Sequence, residues 1–342
     1  MKNMYGILLL LWACICAGCG NSGRQQPDTS KDIVLAYVTS NGKTLPDPSL
    51  VTHINYAFGH VDSTFSKVVI DRESRLQEIA NLKKDAPHLK VLLSIGGWGS
   101  GRFSEMAADE QCRLSFARDC RRVVDQFGLD GIDIDWEYPT SRAAGISASD
   151  ADTENYTLLM RDIREAIGTG KLLTLASAAN AKYIDFKAID PYIDFVNIMT
   201  YDMNRPPYHH SALYRSPRVG NRSCEESVEA HLQQGIPASK LVLGAPFYGH
   251  AAPPMSDFID YRDIVKLEGY EVCWDTLACV PYLADKEGRL ICTYENPRSL
   301  AAKCAFVKQK GLLGMMYWEY NTDDEAGSLR KAVFEGMRGD GQ

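Results

Sequence analysis

Eight short apolar runs punctuate the chain, and helical patterns separate most of them. They are IVLAY (33–37), HINYAF (53–58), KVLLSI (90–95), GIDID (131–135), LLTLAS (172–177), FVNIM (195–199), LVLGAP (241–246) and GMMYW (314–318). They lack the full polar alternation of a sheet wet on one side, and read as parallel strands covered by helices. Helical segments are expected at 72–84, 110–127, 152–167, 223–235, 299–310 and 324–337. Asp109 or Glu110 can start the second, which Gly128 follows. Ser223 and Glu226 have capping-box spacing, Pro297 precedes the fifth helix and Gly311 follows it. No clear helix follows 33–37, and 180–190 holds only a short one. The count predicts an α/β chain folded as a closed (β/α)8 TIM barrel rather than an open doubly wound sheet. A nucleotide fold would need a Gly-rich turn after its first strand; the chain has YVTSNGKTLP there and no Walker sequence.

The interval 247–298 is too long for a simple loop. FIDYRDIVKLEG within it reads as helix, and EVCWDTLACVPYLADKEGRLICTY as short antiparallel strands. A small α+β insertion is therefore expected over 251–294, between the seventh and eighth barrel strands, inside a barrel domain spanning 32–338. Ahead of it, MKNMYGILLLLWACICAGCG carries a Lys, an apolar run and then small residues, the pattern of an export signal. CAGCG resembles a bacterial lipoprotein signal. On that resemblance residues 1–18 are removed, Cys19 is lipidated, and 19–31 form a flexible tether to a membrane facing the periplasm or cell exterior. The alternative is simple cleavage and secretion.

With 44 acidic and 37 basic residues the net charge is −7, and the basic residues form no stripe, so nucleic acid is not an expected partner. Seven cysteines follow Cys19, an odd number, so at least one lies outside any internal bridge. Cys112, Phe116 and Cys120 recur at helical spacing and read as a packed face of free thiols. Cys273 with Cys279 is a candidate local bridge. Among these seven there is no CxxC pair, and His209 and His210 lack partners at metal-ligand spacing, so no metal site is expected.

Residues 130–139 read DGIDIDWEYP, with four carboxylates among residues of a buried strand. Strand side chains alternate faces, so Asp133, Asp135 and Glu137 point one way while Ile132, Ile134 and Trp136 point the other. The isoleucines can pack against outer helices, which turns the acids inward at the carboxyl end of the fourth strand, the catalytic face of a TIM barrel. Three like charges so placed cannot all ionise comfortably, and one or more pKa values should rise. Glu137, the outermost, is the natural proton donor; Asp133 and Asp135 are expected to share a proton. Asp130 precedes the strand and is expected to hold local backbone. A solvated strand end and a Mg²⁺ or Ca²⁺ site are the competing readings.

Other strand ends offer matching parts. SIGGWG leaves Gly96 and Gly97 as open backbone beside Trp98, MTYD gives Met199, Tyr201 and Asp202, APFYG gives Tyr248, and MMYWEY gives Tyr317 and Trp318. Aromatic faces around carboxylates suit a carbohydrate. Trp136 could serve core or ligand.

DGIDIDWEYP, SIGGWG, MTYD and YWEY together resemble glycoside hydrolase family 18, the chitinase-like family, over about residues 32–338. The resemblance implies hydrolysis, without a cofactor, of β-1,4 links between N-acetylglucosamine units in chitin or chitooligosaccharides, by a monomer. It implies Glu137 as acid and base, the substrate's N-acetyl oxygen as nucleophile, Asp135 on the acetamido N–H, Asp133 accepting a hydrogen bond from Asp135, and Tyr201 on the acetamido oxygen. Trp318 would form the sugar floor, with Asp202, Tyr248, Trp98, Met199, Tyr37 and Phe58 as further sugar contacts. An endo-β-N-acetylglucosaminidase acting on N-glycans, or a non-catalytic sugar-binding protein, would use the same frame.

Overall fold

The computed structural model describes residues 32–339. In chain order the first strands are Ile33–Thr39 (β1), His53–Val61 (β2), Val68–Ile70 (β3), Lys90–Gly96 (β4), Gly131–Asp135 (β5), Leu172–Ala178 (β6), Phe195–Met199 (β7) and Leu241–Pro246 (β8). Tyr248–Ala251 (β9), Phe258–Asp260 (β10), Glu271–Asp275 (β11), Val280–Ala284 (β12), Leu290–Thr293 (β13) and Gly314–Trp318 (β14) follow. The helices are Glu73–Asn81 (α1), Phe103–Ala108 (α2), Glu110–Phe127 (α3), Asp152–Ile167 (α4), Phe186–Ile189 (α5), Cys224–Gln233 (α6), Tyr261–Ile264 (α7), Pro297–Lys310 (α8) and Ser328–Arg338 (α9).

Eight parallel strands run in the order β1-β14-β8-β7-β6-β5-β4-β2, and β2 pairs back onto β1. The sheet is therefore a closed barrel, built from the eight apolar runs. Period two explains its two cores. On β1, Ile33, Leu35 and Tyr37 point into the barrel with Phe195, Val242 and Met316. Val34, Ala36 and Val38 point outward into the layer shared with the helices. β3 is an antiparallel addition to β2 that apolar periodicity did not signal, being three residues long.

The helix boundaries follow local chemistry. Asp109 accepts from the Cys112 amide at the start of α3, and Gly128 ends it in the left-handed region. Ser223 and Glu226 form a capping box on α6. Asn296 caps α8, with Pro297 at its first position and Gly311 after it. α9 starts at Ser328, four residues later than expected, because the Asp323 carboxylate is taken up by the Leu329 and Arg330 amides.

Five antiparallel strands in the order β10-β9-β13-β12-β11 make the insertion sheet, which begins at Tyr248, directly after β8. FIDYRDIVKLEG is not one helix. Its first three residues form β10 against β9, and only one turn, α7, follows. Cys273 and Cys279 are both free thiols, as are the other five described cysteines. The β11–β12 register sets Cys273 opposite Tyr282 and leaves Cys279 at the turn, so the two do not face each other.

Candidate active site

β5 and its continuation carry the acids. Ile132, Ile134 and Trp136 join the outer core; Trp136 stacks on Phe103 of α2 and meets Tyr156 of α4 edge-on. Trp136 is thus core, away from the barrel mouth. Asp133 and Asp135 point inward, and Asp135 and Glu137 line a cleft of about 810 Å³ at the carboxyl ends of the strands. Asp130 lies at the opposite end of β5, where its carboxylate accepts from the Val91 amide at 2.8 Å and pairs with Lys83 at 2.6 Å. Gly96 and Gly97 bring β4 close to this strand. A Cβ at Gly96 would sit 1.9 Å from the Asp135 carbonyl oxygen, and one at Gly97 would strike the Phe58 ring at 2.7 Å. The Gly97 amide donates to that carbonyl at 2.9 Å.

The three acids are unequal. Asp133 is fully buried and accepts from four donors: Tyr37 at 2.9 Å, Ser94 at 2.8 Å, Thr174 at 2.6 Å and Asn197 at 3.2 Å. Both its oxygens are engaged by these neighbours, and among the described residues no hydrogen bond joins Asp133 to Asp135, where the sequence predicts a shared proton. Burial still raises its pKa, against those hydrogen bonds. Asp135 has a buried Oδ1 without a partner. Its pKa is raised well above the ordinary value by burial first, then by the charges of Glu137 and Asp133. Glu137 is pushed up to about 7, chiefly by burial; the neighbouring Tyr138 works against the shift and the charge of Asp202 adds to it.

Tyr37, Phe58, Trp98, Met199, Tyr201, Asp202, Tyr248 and Trp318 all line the same cleft. Trp318 stacks on Phe58 at 5.6 Å and touches Tyr37 at 5.7 Å, making an aromatic floor. Trp98, 64% exposed, stands on the rim, with its edge on Tyr138. Tyr138 in turn stacks on Tyr183 at 4.9 Å. Tyr317 lies outside the cleft, buried and stacked on Phe247. Three non-proline peptide bonds at the barrel mouth are cis: Ala57–Phe58, Glu137–Tyr138 and Trp318–Glu319.

Several lining residues escaped the sequence reading. Tyr138 directly follows the acid motif, and Tyr183 sits in a loop with no pattern. Arg205, His250, Asp257 and Phe258 belong to the loop after β7 and to the insertion. His250 could have been found, since it stands two places after Tyr248 on one strand and shares its face. Asp202 is left-handed, at φ 57°. Its Oδ1 accepts from the Tyr248 hydroxyl and lies 2.6 Å from both that oxygen and His250 Nε2. These contacts with Tyr248 and the two histidines outweigh burial and hold its carboxyl well below the usual range. The expectation that His209 and His210 lack partners is corrected. His209 Nε2 is 3.2 Å from Asp275, and His210 lies beside Asp202 and His250. Both sets of partners are remote in sequence, which is why spacing concealed them.

A family model described as Glycosyl hydrolases family 18 matches residues 33–323. The chain belongs to that family. Its relatives include chitotriosidase-1 of Mus musculus, 33% identical, with 83% of this chain and 69% of the relative covered. Chitinase A1 of Niallia circulans is 30% identical over 89% of this chain, which spans 51% of that longer protein. Among solved structures, a family 18 N-acetylglucosaminidase from Paenibacillus barengoltzii superposes with a TM-score of 0.83 at 33% identity, covering 89% of this chain and 99% of the other. Membership places the chain among the glycoside hydrolases, and its closed barrel is the fold of the solved structure it superposes on.

Proposed function

We propose that this family 18 protein hydrolyses β-1,4 links between N-acetylglucosamine units of chitooligosaccharides, with retention and with the substrate's N-acetyl group as nucleophile. The observation that carries the reading is a single carboxyl, Glu137, lifted to about 7 at the edge of an aromatic-floored cleft and backed by two further buried acids. Such a group is protonated enough to act as acid and, once ionised, basic enough to act as base near neutral pH.

In this scheme Glu137 gives its proton to the glycosidic oxygen as the bond from C1 to that oxygen breaks. The acetamido carbonyl oxygen of the same sugar closes onto C1, giving an oxazolinium ion and a free sugar hydroxyl. Asp135, whose Oδ1 is without a protein partner, accepts from the acetamido N–H and faces the developing positive charge. Asp133 is held by four donors and serves as a fixed support beneath it. Tyr201 donates to the acetamido oxygen, while Trp318, with Phe58 and Tyr37, stacks on the sugar's apolar face. Asp202 and Tyr248 hold hydroxyls near the scissile bond, and Trp98 and Met199 extend the contact. Water then attacks C1 as Glu137 takes a proton from it; the bond from C1 to the acetamido oxygen breaks, which restores the acetamido group, the acid and the β configuration.

Likeness to the Paenibacillus barengoltzii protein supports a second reading, release of single N-acetylglucosamine units from chain ends. Chitooligosaccharides of increasing length, a chitotriose reporter and a high-mannose glycopeptide separate the readings. The main proposal expects internal cleavage of chitooligosaccharides into dimers and trimers, and an intact glycopeptide. Release of monomer alone favours the second reading. Cleavage of the glycopeptide but not of chitotriose would instead assign the endo-β-N-acetylglucosaminidase function. Binding without turnover would leave a lectin-like protein.

Membrane attachment is part of the same proposal. Residues 1–31 lie outside the described residues, and among those described no helix is long and apolar enough to cross a membrane. The resemblance of CAGCG to a lipoprotein signal is what supports a lipid on Cys19 as the tether. Cys19→Ala should move the protein from the membrane to the soluble fraction; an unchanged distribution would reject the anchor.

A further inference from the structure

The insertion strand β9 places His250 against Asp202, and the loop after β7 places His210 beneath both. Donor atoms of the three residues all lie within 4.8 Å of one another. We propose that Asp202, His210 and His250 form a binding site for a divalent transition-metal ion, zinc being the best fit, in the wall of the cleft.

Three observations carry this. First, His210 is fully buried, and neither of its ring nitrogens has a hydrogen-bond partner. Its Nδ1 stands 3.7 Å from the Asp202 carboxylate, too far for a hydrogen bond and near the separation of two ligands on one tetrahedral ion. A buried imidazole with no hydrogen bond at either nitrogen is costly unless something occupies the space between.

Second, His250 has the orienting contact of a metal-bound histidine. Its Nδ1 is 2.8 Å from Asp257, and its Nε2 is turned to Asp202 at 2.6 Å. A carboxylate on the far nitrogen orients the ring, and an ion entering between Nε2 and Asp202 would replace their present hydrogen bond. Arg205, 3.2 Å from Asp257, steadies that carboxylate in turn. Third, the Asp202 side chain is half exposed to the cleft, so three protein ligands leave an open position for water or a sugar hydroxyl. Two imidazoles and one carboxylate suit zinc, copper or nickel better than calcium or magnesium, which prefer oxygen ligands.

An ion bound here engages the carboxylate that the proposed function assigns to the sugar. Zinc should then act as an inhibitor that substrate displaces and a chelator reverses; this consequence rests on that function. Metal binding itself is tested without substrate. Cobalt(II) is titrated into the metal-free full-length chain, because its visible spectrum separates nitrogen and oxygen ligation from thiolate ligation by the free cysteines. One equivalent should bind with a tetrahedral spectrum lacking thiolate charge-transfer bands, and zinc should displace it. His250→Gln and His210→Asn should each weaken binding at least about tenfold, and Asp257→Asn by about 10–100-fold through lost orientation. Circular dichroism checks that each variant is folded. No saturable binding by the wild type, a thiolate spectrum, or unchanged affinity in folded His250→Gln and His210→Asn variants would overturn the proposal.

Discussion

Two clusters of charge are buried in this barrel, and they solve the same problem in opposite ways. Under α8, Lys303 and Glu295 are both fully buried and 2.6 Å apart. Lys303 also donates to the Ser211 carbonyl at 2.7 Å and its hydroxyl at 2.6 Å, so all three ammonium protons are used. Burial opposes the charge on Lys303, yet the facing Cys224 and Glu295 raise its pKa, and it stays a cation. At the end of β5 three acids stand together. Asp133 alone is fully provided with donors, Asp135 is left with an unpartnered oxygen, and Glu137 is displaced to about 7. Opposite charges buried together make a fixed strut, even with Glu295 Oε2 left without a hydrogen bond, whereas like charges buried together make a group whose proton can be given away.

Removing the unmatched group should cost activity and spare the fold. Glu137→Gln is expected to lower kcat on a chitotriose reporter by about 10²–10⁴-fold while sugar binding persists. Its effect on stability has the opposite sign. The folded carboxyl binds its proton more tightly than the unfolded one, so the wild type loses stability as pH rises through about 7. The variant lacks that loss and should gain on the order of 2 kcal/mol relative to wild type at pH 8 compared with pH 4, read by urea unfolding. A variant with wild-type turnover, or one destabilised at pH 8, would break the contrast between the two clusters.

Breaking the matched pair should do the reverse. Lys303→Met leaves Glu295 buried and unpaired and should cost about 3–5 kcal/mol in unfolding free energy, while kcat per folded molecule stays within a few-fold. The double variant with Glu295→Met should recover most of that loss. A double variant no more stable than the single one would show that the pair is not an isolated strut.

The matched cluster could not be read from the chain. Glu295 and Lys303 are eight residues apart, but Ser211 comes from a loop about ninety residues away, and only the closed barrel joins them. The barrel was legible because eight apolar runs leave few ways to bury themselves. The acids were legible because alternation along GIDIDWE allows a single inward set. What stayed hidden was either too short for a period, as in β3, or assembled from remote segments, as with His210, His250 and Asp202. FIDYRDIV misled because Phe258, Tyr261 and Val265 have helix-like spacing, while pairing with β9 decided the outcome.

A finer test concerns pH. Turnover should fall about tenfold per unit above a pKa near 7 as Glu137 loses its proton, and Tyr37→Phe should change that profile by removing one of the four donors to Asp133. An alkaline limb that begins only above pH 9 would remove Glu137 from the acid role. The smallest effect is expected at Asp130, on the far end of β5. Asp130→Asn weakens its link to Lys83 and the Val91 amide, and should cost about 1 kcal/mol of stability with kcat unchanged. A large loss of kcat there would mean that the acid motif works as one unit along its length.

Following the Glu137 carboxyl carbon by NMR, in protein labelled at glutamate side chains and assigned with Glu137→Gln, tests the centre of the account. The unliganded protein should show this one carboxyl titrating with a midpoint near 7. A midpoint near 4.5, that of an ordinary glutamate, would mean that crowding and burial do not keep the proton in place, and the acid would have to be sought elsewhere in the cleft.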